Sequence, residues 1–207
     1  PDRASLGSLL AHLGAIGARA GAGDHLVSEA LYFQDPDGLG IEVYADRPRE
    51  TWQRRGDEIV MATNRLDMSS LLGAGDGHAW NGMPPGTSVG HVHLSVDAIE
   101  PAKAFYHSAI GFDITADAGT ALFMSAGGYH HHVATNTWWA GAPAAADDDA
   151  RLLEWELVLP TPVDVVTEVL APWTPQFMVA PDGPTHPILM SPATVASESW
   201  NSFRSIS

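Results

Sequence analysis

Apolar side chains recur at helical spacing near the start of the chain, at Leu6, Leu9, Leu10, Leu13 and Ile16, predicting a helix over residues 5–20 with Ser5 as its cap. The glycine-rich run 21–24 reads as its end. Residues 28–33 then predict a strand, Asp35-Pro36-Asp37-Gly38 a turn, and residues 40–44 a second strand. On that second strand Glu42 and Tyr44 share one face, and Ile41 and Val43 the other. Residues 45–88 are polar and broken by proline and glycine, with one helical patch at 67–72.

Strict alternation returns at 91–96, with Val92, Leu94 and Val96 on one face and His91, His93 and Ser95 on the other. A helix follows at 101–109, with proline in its first turn and Phe105 and Tyr106 to bury. Strands are expected around Ile114, at 121–125 and at 129–136. The order is strand, helix, three strands. After a low-complexity loop the pattern restarts more weakly, and Leu94 and Leu157 occupy matching places about 63 residues apart.

The fold class predicted is α+β, built of tandem βαβββ modules. A partial module occupies 1–52, a linker 53–88, a module 89–139, a loop 140–150, a degenerate module 151–190 and a tail 191–207. The first 44 residues supply a helix and later strands without a first strand, so part of that first domain is expected to precede Pro1.

Composition narrows the chemistry. The 207 residues hold no cysteine and ten histidines, so a metal would be held by His, Asp, Glu or Tyr, a set suited to Fe(II), Mn(II), Ni(II) or Zn(II). A formal charge of −15 with ten Lys and Arg argues against nucleic acid. No apolar run is long enough to span a bilayer, and the opening residues lack the apolar core of a secretory signal, so no membrane association and a cytoplasmic location are expected.

The module opening Gly90-His91, Leu94, Val96, followed by Ala104-Phe105-Tyr106 and Ile110-Gly111-Phe112, resembles the vicinal-oxygen-chelate superfamily of glyoxalases, bleomycin-resistance proteins and extradiol dioxygenases. That resemblance implies modules paired into cupped mixed sheets, with metal ligands projecting inward from first and last strands. The stretch Asp24-His25 to Tyr32, with Asp35-Pro36-Asp37-Gly38 and Gly40-Ile41-Glu42-Val43-Tyr44, resembles the end of the metal-bearing domain of extradiol dioxygenases. With Asp46-Arg47-Pro48 and the run Gly127 to His132, the whole looks most like bacterial catechol-2,3-dioxygenase-like proteins.

Carried over, the resemblance gives His25 an acid–base role, Tyr32 a hydrogen bond to substrate and Glu42 a place on the metal. It puts the two histidine partners of Glu42 before Pro1. It also implies a second set in the later modules: His91, His131 and Glu154, two histidines and one carboxylate. The bland alternatives are an exposed strand glutamate for Glu42, a satisfied sheet histidine for His91, a turn cap for His25 and a solvent-facing residue for Glu154. Alternation lets only one parity of His130, His131 and His132 face inward.

The function this implies is a ring-cleaving dioxygenase using Fe(II) on a small catechol-like aromatic, with a homodimer compatible with it. A glyoxalase-like isomerase or lyase using Ni(II) or Zn(II), and a non-catalytic small-molecule binding protein, are the alternatives.

Overall fold

A computed structural model describes residues 2–143 together with Leu152 and Trp155. Glu154, the module expected at 151–190 and the tail at 191–207 therefore lie outside the described residues.

Helix α1 spans Arg3–Ala15, and its cap is Asp2, whose carboxylate accepts from the Ser5 backbone N–H at 2.8 Å. The helix is shorter than the apolar spacing predicts. Gly17 takes a left-handed conformation (φ 70°) that stops it, and Ile16 is 62% exposed rather than in the core. Leu6, Leu9, Leu10 and Leu13 form the buried face.

The run expected only to end this helix is itself a strand. β1 (Gly21–Asp24) pairs antiparallel with β2 (Ser28–Gln34), which pairs in turn with β3 (Gly40–Asp46). No side chain in Gly-Ala-Gly-Asp favours a strand; the register against β2 creates it. The β2–β3 register sets Tyr32 opposite Glu42 and Ala30 opposite Tyr44.

The stretch read as a linker is tethered to this sheet. A short hairpin of β4 (Arg54–Arg55) and β5 (Glu58–Ile59) follows a 3-10 turn at Arg49–Thr51. Asp24 and Asn64 make an isolated bridge, and helix α2 (Met68–Ala74), capped by Asp67, packs on α1. Leu66 and Leu71 thereby join Leu6, Leu9, Leu10 and Leu31 in one core.

The next unit has the order read from the sequence. β6 (Val92–Ser95) leads to α3 (Ile99–Lys103), which continues as a π-helical turn over Ala104–Ala109. β7 (Asp113–Asp117), β8 (Ala121–Ser125) and β9 (Val133–Asn136) complete a sheet of order β6-β9-β8-β7. β6 runs parallel to β9 and the other pairs are antiparallel. That is a βαβββ module. Its core gathers Phe112, Leu122, Met124 and Val133, with Val92 and Leu94 packed against them as the alternation predicts. Among the described residues the fold is thus α+β, with few helices, and the sheets are open rather than closed into barrels.

Candidate active site

Glu42, Tyr44 and Asp46 lie at alternate positions of β3, so their side chains share one face of the first sheet. The Tyr32 hydroxyl donates to Glu42 Oε1 at 2.8 Å across the β2–β3 register. His25, in the β1–β2 turn, sets its Nε2 2.5 Å from the same hydroxyl. The Ala62 carbonyl, 2.8 Å from His25 Nδ1, can only accept, so that nitrogen donates. Tyr32 thus has one proton and two neighbours able to take it. It is the shared point of a short proton path.

The turn is built tightly. Asp24 Oδ1 accepts from the Leu26 N–H at 2.9 Å, and Leu26 stands in the left-handed region at φ 69°. Arg47 holds both Asp24 oxygens, at 2.6 and 2.9 Å, and keeps that carboxyl below its ordinary range.

The second sheet closes on this face. His91 Nε2 donates to Glu42 Oε2 at 2.9 Å, so Glu42 and His91, which the sequence placed in separate sites, meet in one. Tyr44 stacks on the His91 ring with centroids 5.1 Å apart. Gly90 makes the approach possible, because a Cβ there would land on the Tyr44 hydroxyl.

Residues 129–132 were expected within a strand, but the regular strand begins only at Val133. The parity expectation fails with it: His130, His131 and His132 are all buried, at 1%, 9% and 7% exposure. His131 lies against His91, ring to ring at 4.1 Å, and its Nδ1 is 2.7 Å from His130 Nδ1. His130 Nε2 donates to Asp46 Oδ1 at 3.0 Å, and Tyr129 donates to Asp46 Oδ2 at 2.9 Å. The sequence assigns no role to Asp46 or Tyr129, and of the three adjacent histidines it carries only His131 into a site. The signal for Asp46 was available, since it continues the Glu42 and Tyr44 face.

Electrostatics follow from burial and partners. Burial pushes the Glu42 carboxyl up, but hydrogen bonds from His91 and Tyr32 outweigh it and hold the group below its usual range, ionised at neutral pH. Burial, then the Glu42 charge, drive the Tyr32 hydroxyl far upward, so it remains a donor. Burial lowers His131 well below an ordinary imidazole, and His93 to about 4.

The resemblance implies a metal, and the donors can be tested against one. Two ligands bound cis at about 2.1 Å stand about 3 Å apart, close to the 2.9 Å between His91 Nε2 and Glu42 Oε2. His91 Nδ1 is buried without a hydrogen-bond partner among the described residues. The pair therefore fits a hard divalent ion in donor type and spacing. Among the described residues no three His, Asp or Glu side chains converge as a complete cage. His131 stands beside His91 rather than converging with it, and Glu154 lies outside the described residues.

Over 131 residues the chain is 52% identical to a catechol-2,3-dioxygenase of Bacillus subtilis (strain 168). The resemblance to catechol-2,3-dioxygenase-like proteins read from the sequence holds. The matched stretch is 62% of this chain and 46% of the dioxygenase, so the chain spans about half the length of this relative. No protein-family model matches the chain. No helix among the described residues is long and apolar enough to cross a membrane.

Proposed function

We propose that this chain contributes to an extradiol-type dioxygenase that opens the ring of a small catechol-like aromatic, with Fe(II) held in part by Glu42 and His91. The observation carrying this reading is the Glu42 carboxylate, gripped by Tyr32 from its own sheet and by His91 from the next. Similarity to a protein named catechol-2,3-dioxygenase supports it.

Bound iron would supply the chemistry that brings a catecholate and O₂ to reaction, both oxygen atoms ending in the ring-opened product. The protein's own part is proton handling and placement. His25 accepts or returns a substrate proton, its ring fixed by the Ala62 carbonyl behind it. Tyr32, donating to the Glu42 carboxylate and set against His25 Nε2, orients a substrate oxygen beside that base. Buried His131 adds a neutral imidazole beside His91.

The test uses the full-length protein carrying this chain, loaded anaerobically with Fe(II) and then given catechols and O₂. Oxygen uptake with a yellow ring-opened product is expected, and Glu42→Ala should lower iron content at least tenfold. Bound iron without oxygen uptake across a panel of catechols overturns the dioxygenase reading. Bound Ni(II) or Zn(II) with isomerase activity would replace it with the glyoxalase-like alternative.

A further inference from the structure

We propose that Arg47 is a positioning residue for His25: from the far face of the first sheet it clamps both shoulders of the β1–β2 turn and so sets the imidazole against Tyr32.

The turn is three residues long, His25 to Val27, between the end of β1 at Asp24 and the start of β2 at Ser28. Its middle residue, Leu26, stands at φ 69°, a left-handed conformation unfavourable for leucine. The last register pair before the turn sets Asp24 opposite Glu29. Two carboxylates facing each other across a hairpin repel, and that repulsion would splay the strands where they carry His25. The turn needs a hold from outside.

Arg47 supplies it at both ends. Its guanidinium spans the two Asp24 oxygens, at 2.6 and 2.9 Å, and Nη2 also reaches Glu29 Oε1 at 3.1 Å, so one cation neutralises the facing pair. Its backbone N–H donates to the Val27 carbonyl at 2.8 Å. The side chain thus holds the entry to the turn and the backbone its exit. Asp24 Oδ1, fixed in this way, also accepts from the Leu26 N–H. The Trp52 Nε1–H donates to the Arg47 carbonyl at 3.0 Å and anchors the clamp itself.

The effect is felt on the other face. Asp24 and Glu29 alternate with Gly23, Ala30 and Tyr32, which puts the ion pairs on the side away from Glu42. From the turn the His25 ring folds back over Gly23, where a Cβ would stand 2.9 Å from Nε2, and meets Tyr32 edge-on with centroids 5.9 Å apart. A shift of about 1 Å would take Nε2 beyond hydrogen-bond reach of the Tyr32 hydroxyl. The Arg47 and Asp24 side chains are 31% and 25% exposed, so their ion pair adds little stability, and its geometric constraint is the larger effect. A lysine would keep the charge but lacks the planar fork that holds two oxygens at once.

The consequence for catalysis rests on the acid–base role proposed for His25; the placement itself does not. Proton NMR of the metal-free, full-length protein tests the placement. The cross-peak between the His25 and Tyr32 rings is expected in the unaltered protein and lost in Arg47→Lys. Should that variant not fold, Asp24→Asn, which keeps an acceptor for Leu26 but not the bidentate grip, should also lose it. Arg3→Gln removes the Arg3–Glu29 ion pair of the same network without touching Asp24 and should keep the cross-peak. In the Fe(II)-loaded protein, Arg47→Lys should lower kcat about tenfold or more, with KM moved by less than about threefold and iron content unchanged. Added to His25→Ala it should cost nothing further, because the residue it positions is already gone. A cross-peak that survives both Arg47→Lys and Asp24→Asn, one lost equally in Arg3→Gln, or a full additional loss on the His25→Ala background overturns the inference. An unaltered protein without oxygen uptake sinks only the dioxygenase reading, and the cross-peaks then decide the placement alone.

Discussion

Tyr32 donates one of the two hydrogen bonds that keep Glu42 ionised. Tyr32→Phe should therefore cost about 1.5–3 kcal/mol, the range for a hydrogen bond to a charged group. The loss belongs at the low end, because the Glu42 side chain is still 21% exposed. Urea unfolding of the metal-free protein measures it. Leu26 offers the opposite outcome. A leucine at φ 69° bears a left-handed backbone cost that asparagine tolerates. Leu26→Asn should raise stability by about 0.5–1 kcal/mol, seen as a higher thermal midpoint. At this scale the sequence showed which residue types carry chemistry but not which would meet. Glu42 could be placed on a face with Tyr44, yet its contact with His91 joins positions on different sheets, which no local pattern encodes.

Among the elements, α1 and α2 pack backbone against backbone. A Cβ at Gly7 would stand 2.3 Å from the Leu71 carbonyl oxygen, and one at Gly75 2.5 Å from the Ser8 nitrogen. Both obstacles are backbone, so neither can swing aside. Gly7→Ala should destabilise by about 1–3 kcal/mol through overpacking. Gly14→Ala, in the same helix and facing open space, should be neutral or slightly stabilising. Denaturant midpoints of the two variants separate packing from propensity. The strands were legible where side chains alternate, as in β6, or where strand formers cluster before a turn, as in β2. β1 was illegible because its pairing comes from β2 rather than from its own residues. Residues 129–132 mislead for the converse reason: their pattern predicts a strand, but Trp52 against Tyr129 and His130, with Thr115 and Ser125 donating to the His130 and Tyr129 carbonyls, holds them in an irregular turn.

For the whole molecule, pH is the lever. His93 and His132 titrate at about 4 in the folded chain, burial being the main cause, against 6.5 for an ordinary imidazole. Between those values the unfolded chain binds protons that the folded chain refuses, so stability rises with pH across that window. His130 and His131, also lowered by burial, act in the same direction. Metal-free protein should show a falling thermal midpoint as pH drops from about 6.5 toward 4, and His132→Gln should flatten that slope. An unchanged midpoint across this range would contradict burial of the neutral rings.

The Glu42–His91 contact also has a kinetic consequence. It joins residues 49 positions apart, and Asp46–His130 joins residues 84 apart, whereas the β2–β3 hairpin closes within one short turn. Closing longer loops costs more chain entropy, and polar contacts repay it only once desolvated. Each sheet can therefore condense around its own core before the face between them closes. The site is expected to assemble late in folding and its contacts to part first in native fluctuations, which hydrogen exchange of the residues around Glu42 and His130 would check. Substitutions there should speed unfolding while leaving the folding rate nearly untouched.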